Sequence, residues 1–443
     1  MDDLTMRILE NSDWPSLLLA RASESTEEPT LVAAEAAGAW TAFRRAVTVL
    51  SADEVRRIVA ESGLRGRGGA GYPTGRKWRS CAEQPPGARF VVANGFEADP
   101  GAQLDRTLME RDPHAVLEGL ALAAYAVGAT QAYVAVKSSA TLAARRLREA
   151  VEQAEEQGIL GTGAMGGRVD LQIEVRELQG GFVVGEETVL LRALENKRAQ
   201  PDQRPPYPTE RGLFGRPTAV NNVKTLAAVP WIVANGATAY SQLGVGGHSG
   251  TTLLQVSGAV KTPGIVEVPL GVPLDEVLAL AGSVRSPKAV LVGGPSGAFL
   301  PPDELDVTLV PDQLERVGGI WGSGTILVAD QRACVVDMAS LMTRYLNDEA
   351  CGKTIPCRIG LRRLAEIGDR FTSGRPRPTD AQLLDDLCAD TRDAALCALE
   401  STATNPLLSG MRYFASEFEA HIVKGECPAG VCQPLRVTAG AAS

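Results

Sequence analysis

The run from Ser62 to Trp78 holds six glycines, four cations and a Pro73-Thr74 turn. Glycines lack a Cβ and accept positive φ, so backbone N–H groups in such a loop can converge on an anion. Arg65, Arg67, Arg76 and Lys77 supply charge for phosphate oxygens, and the composition suits a phosphorylated ligand. Sulfur forms the next concentration. Cys351 and Cys357 stand six apart, with Cys397 forty residues further on. Near the end, Cys427 and Cys432 stand five apart with His421 just before them. Two thiolates and an imidazole make three quarters of a zinc or iron–sulfur site, against the alternative of two unpaired thiols. Glu186 and Glu187 begin a predicted helix, where the macrodipole tolerates carboxylates. Asn221 and Asn222 precede another helix containing Thr225. They either cap it or offer amides to a ligand.

The elements that must position these groups alternate in type. The pattern predicts strands over 89–94, 132–136 and 171–175, and helices near 114–127 and 140–156, with a further helix opening at Gly185. That alternation argues for an open α/β sheet, whose ligands lie beyond the carboxyl ends of its strands. Prolines at 205, 206 and 208 impose an extended segment over 201–217. Short β runs surround a helix near 274–280, and helical patterns dominate from Cys334 onward.

Bulk properties narrow the classes. The chain of 443 residues predicts several modules. A net charge of -9 argues against nucleic acid or an anionic membrane as partner. The most apolar stretch, 117–136, is interrupted by Glu118, Gly128 and Gln131, which argues against direct membrane insertion. The start Met1-Asp2-Asp3-Leu4 lacks a secretory pattern, so a cytoplasmic location is expected, within a larger complex where one forms. In a reducing compartment the eight cysteines read as thiols or metal ligands, with Cys334 and Cys81 as buried thiols outside the ligand pattern.

The glycine loop, in its full length, resembles the flavin loop of the family of FMN- and NADH-binding subunits of respiratory complex I, and is nearest the beta or diaphorase subunits of NAD-linked hydrogenases and formate dehydrogenases. Further motifs recur in that family's order over residues 55–435. The resemblance implies an α/β architecture: a Rossmann-like FMN-binding domain, a small β-grasp (SLBB-like) domain, then a C-terminal helical bundle. The expected boundaries are an N-terminal helical segment at 1–50, the FMN/NADH-binding domain at 51–245 and the β-grasp domain at 246–333. The bundle with iron–sulfur-type cysteines follows at 334–420, and a Cys/His tail at 421–443. It further implies that FMN is held by Gly66, Arg67, Gly68, Gly69, Ala70, Gly71, Lys77, Asn94, Glu97, Gly185, Glu186, Asn221, Asn222 and Thr225. Glu187 would lie beside the nicotinamide as the catalytic residue, with Tyr72, Asp99 and Tyr207 at the NADH site.

Four positions depart from that pattern at the flavin and nucleotide: Phe96 for an aspartate, Phe182 for a tyrosine, Asp99 for a glutamate and Lys224 for a glutamate. A fifth matters more. The family's iron–sulfur motif carries a cysteine where this chain has Thr354, leaving Cys351, Cys357 and Cys397. Three outcomes remain open: a [3Fe-4S] cluster on three thiolates, a [4Fe-4S] cluster completed by hydroxide, Thr354 or Cys388, or no cluster. The string Cys427-Pro428-Ala429-Gly430-Val431-Cys432 is similar to one that precedes a ferredoxin-like extension in the hydrogenase-linked branch. With the sequence ending at Ser443, that extension is expected on a separate protein or not at all. Implied partners are a small [2Fe-2S] thioredoxin-like subunit and a ferredoxin or a larger iron–sulfur, hydrogenase or formate dehydrogenase-type subunit. The expected activity is NADH oxidation, or NAD+ reduction, through FMN. The alternatives are an electron relay that no longer uses NADH, and a structural subunit that lost its cofactors.

Overall fold

A computed structural model describes residues 6–22, 29–283, 286–433 and 435–437. Met1 to Leu4 and the last residues of the Cys/His tail, 438–443, lie outside them. The chain folds as two compact units. One contains Met1–Gly180, Glu187–Leu254 and Ile265–Val272; the other contains Gly181–Glu186, Gln255–Gly264 and Pro273–Ser443.

The first unit is built on a five-stranded sheet ordered Gly161–Gly163, Val169–Leu178, Gln131–Lys137, Phe90–Gly95, Thr218–Asn222. Four of its strands run parallel, and only the short Gly161–Gly163 strand is antiparallel. From Phe90–Gly95 the chain first winds outward through 131–137 and 169–178, then returns to add Thr218–Asn222 on the other side. This reversal makes a topological switch point at the carboxyl ends of 90–95 and 218–222, the place where open α/β sheets bind ligands.

Helix Pro113–Val127 is buried on nearly every face, as its near-continuous Ala, Leu and Val sequence requires. It meets helix Val223–Asn235 so closely that a Cβ on Gly119 would lie 2.0 Å from the carbonyl oxygen of Leu226. The N-terminal segment is more than helices. A strand at Arg7–Leu9 precedes helices Leu31–Ala36 and Thr41–Val49. The backbone N–H groups of Leu17, Leu18 and Leu19 donate to the carboxylate of Glu267, and Arg21 pairs with Asp112 at 2.9 Å.

In the second unit, Thr325–Ala329 pairs in parallel with residues 255–258 and antiparallel with Ala289–Val292, which in turn pairs with Ala298–Leu300. The helices Val335–Glu349, Leu361–Thr372, Asp380–Asp393 and Asn405–Tyr413 follow. Two single π-helical turns interrupt this region, at Pro356–Gly360 and Ala420–Lys424. Among the described residues no helix is long and apolar enough to cross a membrane.

Candidate flavin site and metal centres

The glycine loop is closed by Gly66 N–H donating to the Tyr72 carbonyl at 2.9 Å and by a bridge between Arg65 and Pro73. Gly71 has φ +61°, a conformation that disfavours residues with a Cβ. The loop passes over the switch point: a Cβ on Gly68 would lie 3.0 Å from that of Asn222. Asn222 stands opposite Asn94 in the register of the parallel strands, and Asn221 opposite Ala93. Asn222 also caps helix Val223–Asn235, so capping and site membership coincide in one residue.

Beneath the loop lies a polar network. Asn222 Nδ2 donates to Asp105 at 2.6 Å, Lys224 Nζ lies 3.1 Å from Asp105, and Glu97 accepts from the N–H groups of Leu104, Asp105 and Arg106. Glu97 thereby caps helix Leu104–Arg111. Burial, with the nearby Asp105 charge adding to it, pushes its carboxyl up to about 7. Lys224 does not reverse a contact into open space; its ammonium is buried against Asp105.

Two expected phosphate cations are engaged elsewhere. The Arg67 guanidinium turns inward, donating to the carbonyls of Thr251 (3.0 Å) and Ser249 (2.5 Å) and to the Tyr240 hydroxyl (3.1 Å). Its amide donates to the Thr225 hydroxyl at 2.8 Å, so Thr225 is fully buried and holds the loop. Lys77 Nζ bonds Glu187 and the Val220 carbonyl, each at 2.9 Å. Arg204 lies 3.3 Å from the other Glu187 oxygen. Trp78 donates to Asn221 at 2.9 Å. Tyr72 and Tyr207 are roughly half exposed, and Asp99 is buried. Arg76, beside the Tyr72 ring, also lines a cleft of about 460 Å³ with Arg79, Ser80 and Glu83.

These residues fit a phosphorylated flavin. Helix Thr74–Ala82 starts at the loop without a side-chain cap, Thr74 Oγ1 is buried without a hydrogen-bond partner, and at Gly71 a Cβ would meet nothing within 4 Å. Gly69 and Ala70 complete the loop, and Gly185 and Glu186 close the 3-10 turn before helix Glu187–Leu194.

In the second unit, Phe182 packs edge-on against Tyr345 at 6.2 Å. The cysteines Cys351, Cys357 and Cys397 lie close enough to act on one another. Burial, Glu400, Cys397 and Cys351 push the Cys357 thiol up to about 12; burial pushes Cys397 up to about 11, with Cys351, Glu186 and Glu400 contributing. Cys388 is buried in helix Asp380–Asp393, with Asp385 and Arg392 the charges that act on it. Thr354 donates to Glu400 Oε1 at 2.5 Å and lies 3.4 Å from the Cys357 amide. Three soft thiols brought together, Cys357 and Cys397 buried and Cys351 partly exposed, suit an iron–sulfur cluster.

The second centre corrects the sequence reading of Cys334. This residue joins His421, Cys427 and Cys432, all four buried, with their ligand atoms within 4.8 Å of one another. His421 Nδ1 lies 2.8 Å from the Glu417 carbonyl, which fixes the tautomer and leaves Nε2 toward the thiols, 3.4 Å from Cys334. A Cys3His set of this compactness fits zinc. Spacing could not reveal Cys334, which is 87 positions from His421.

A flavin-type switch-point site, a three-thiol group and a Cys3His centre define an FMN- and iron–sulfur-binding component of an oxidoreductase. Comparison with known proteins agrees. Residues 59–231 match the Nuo51 FMN-binding domain, 253–299 the SLBB domain, and 337–421 the NADH-ubiquinone oxidoreductase-F iron–sulfur binding region. The NADP-reducing hydrogenase subunit HndC of Solidesulfovibrio fructosivorans is 42% identical, covering 88% of this chain and 80% of its own. An F-type subunit of NADH-quinone oxidoreductase from Rhizobium meliloti (strain 1021) is 38% identical over 89% of this chain and 94% of its own. A chain of a NAD+-reducing [NiFe]-hydrogenase, solved in the air-oxidized state, superposes with TM-score 0.80 at 32% identity, over 94% of this chain and 68% of that one. The chain belongs to the family of F-type subunits of NADH-quinone oxidoreductase.

Proposed function

We propose that this chain oxidises NADH through FMN and passes the electrons to iron–sulfur carriers in a multisubunit oxidoreductase. FMN, when bound, supplies the conversion of a hydride pair into single electrons. The observation that carries the reading is the glycine loop lying over Asn222, which faces Asn94 across the switch point. The loop amides, with Gly66 to Gly71, would hold the phosphate; Asn94, Asn221 and Asn222 would face the flavin.

Glu187 is the residue proposed to orient the nicotinamide. Lys77 and Arg204 hold its carboxylate from two sides, so it can present an acceptor at a fixed position. Tyr72 and Tyr207, both partly exposed, would stack the adenine, with Asp99 nearby in the family pattern. A small [2Fe-2S] thioredoxin-like subunit and a ferredoxin or hydrogenase-type subunit are the proposed partners, and the cytoplasm the proposed location. The test is an anaerobic spectrum of the purified chain before and after NADH. Bleaching of bound flavin is expected, slowed roughly 10²-fold in Glu187→Gln with flavin content unchanged. Bound flavin that NADH leaves oxidised would sink the proposal.

A further inference from the structure

Thr354 stands where an all-thiolate site would place sulfur, and its hydroxyl is a poor iron donor. The structure shows what accompanies it. Glu400, only 1% exposed, projects its carboxylate to within 2.5 Å of Thr354 Oγ1, among the cysteines that it acts on electrostatically. Its other oxygen is fixed by the Leu396 amide at 2.9 Å. Among the described residues neither lysine nor arginine pairs with this buried carboxylate; Glu267, buried without a cation as well, instead gathers the amides of Leu17, Leu18 and Leu19 and the Thr251 hydroxyl, whereas Glu400 has one amide and the Thr354 hydroxyl. A buried carboxylate without a cation is costly unless a metal or a proton meets it.

We infer that Glu400 is the fourth ligand of the cluster: Oε1 binds the iron that lacks a thiolate, and Thr354 positions that oxygen by hydrogen bond. Resting on the iron–sulfur reading above, the inference assigns a three-thiolate, one-carboxylate [4Fe-4S] site. Carboxylate is a harder donor than thiolate, so one iron differs from the other three in its ligand field and in its ease of exchange. The remaining three irons keep Cys351, Cys357 and Cys397.

The experiment reconstitutes the full chain anaerobically with ferrous iron and sulfide, after zinc has been supplied for the Cys3His centre. Electron paramagnetic resonance is recorded before and after dithionite. Wild type is expected to be silent when oxidised and to gain a signal on reduction, as a [4Fe-4S] cluster does. Glu400→Gln is expected to give the opposite pattern, a signal in the oxidised state, as [3Fe-4S] does, with roughly one iron fewer per cluster. Thr354→Cys introduced into the Glu400→Gln chain is expected to restore the four-iron pattern. A four-iron spectrum in Glu400→Gln indistinguishable from wild type would overturn Glu400 ligation while leaving the cluster in place. Absence of any cluster signal in wild type and in Thr354→Cys would overturn the iron–sulfur reading and this inference with it.

Discussion

Single side chains in this protein carry structural and chemical duties at once. Glu97 is one of the residues proposed to hold FMN, yet its carboxylate accepts from the first amides of helix Leu104–Arg111. Replacing it with alanine is expected to destabilise the fold by about 1–2 kcal/mol through lost capping, measured by urea denaturation. Its pH dependence has a definite sign. With the native carboxyl raised from 4.5 to about 7, the folded state binds more protons than the unfolded state across that window. Stability contributed by this group therefore falls as pH rises from 4.5 to about 7 and levels off above it. Glu97→Gln keeps an amide oxygen for the cap and is expected to flatten that slope; an unchanged slope would refute the assignment. The glycine loop and the asparagine pair were legible because composition and local spacing carry them. Arg67 was not, since the sequence counts its charge but says nothing of the Ser249 and Thr251 carbonyls that take it.

At the scale of elements, both metal centres draw on the same device. Cys357 lies in the π turn Pro356–Gly360 and His421 in the π turn Ala420–Lys424. A π turn rotates one side chain out of helical register, and such turns favour functional positions. Cys334 adds a different element: it is the N-cap of helix Val335–Glu349, with Sγ 3.4 Å from the Asp337 amide, where partial positive charge favours thiolate. The hydrogen bond from Cys432 and burial hold the Cys334 thiol protonated far above its ordinary range, so a metal bound there would displace that proton. Cys334→Ser is expected to reduce zinc from about one per chain to near zero, and to lower stability by on the order of several kcal/mol. Elemental analysis after dialysis checks the first effect and thermal denaturation the second; full zinc retention would contradict the four-ligand centre. Three of the sheet's five strands were readable from hydrophobic pattern, with bounds within a few residues of those observed; Thr218–Asn222, following the proline-rich segment, and the short Gly161–Gly163 strand were not. The meeting of Cys334 with a tail ligand is tertiary, and no local pattern encodes it.

At the scale of the whole molecule, the sequence-based border at 245 and the structural unit divide the chain differently. The glycine loop's Arg67 donates to carbonyls at Ser249 and Thr251, while Glu267 receives the amides of Leu17, Leu18 and Leu19 and the Thr251 hydroxyl. All of these acceptors lie beyond residue 245. A chain ending there takes two carbonyl acceptors from the Arg67 guanidinium, leaving it the Tyr240 hydroxyl and the Arg65 carbonyl, and strips three backbone donors of their carboxylate, at about 1–3 kcal/mol for each lost partner. Those losses are comparable to the entire stability of an ordinary domain. The segment 1–245 is therefore expected to fail to bind FMN in soluble form, although it contains every loop and asparagine residue assigned to the flavin. In the full chain, Arg67→Ala and Glu267→Ala separate the two halves of this argument. Each is expected to lower the temperature at which bound flavin is released, Arg67→Ala by loosening the loop directly and Glu267→Ala by freeing the N-terminal segment. Flavin fluorescence during heating reads both variants. Stoichiometric FMN on the 1–245 chain would show instead that the loop is held by the parallel sheet alone.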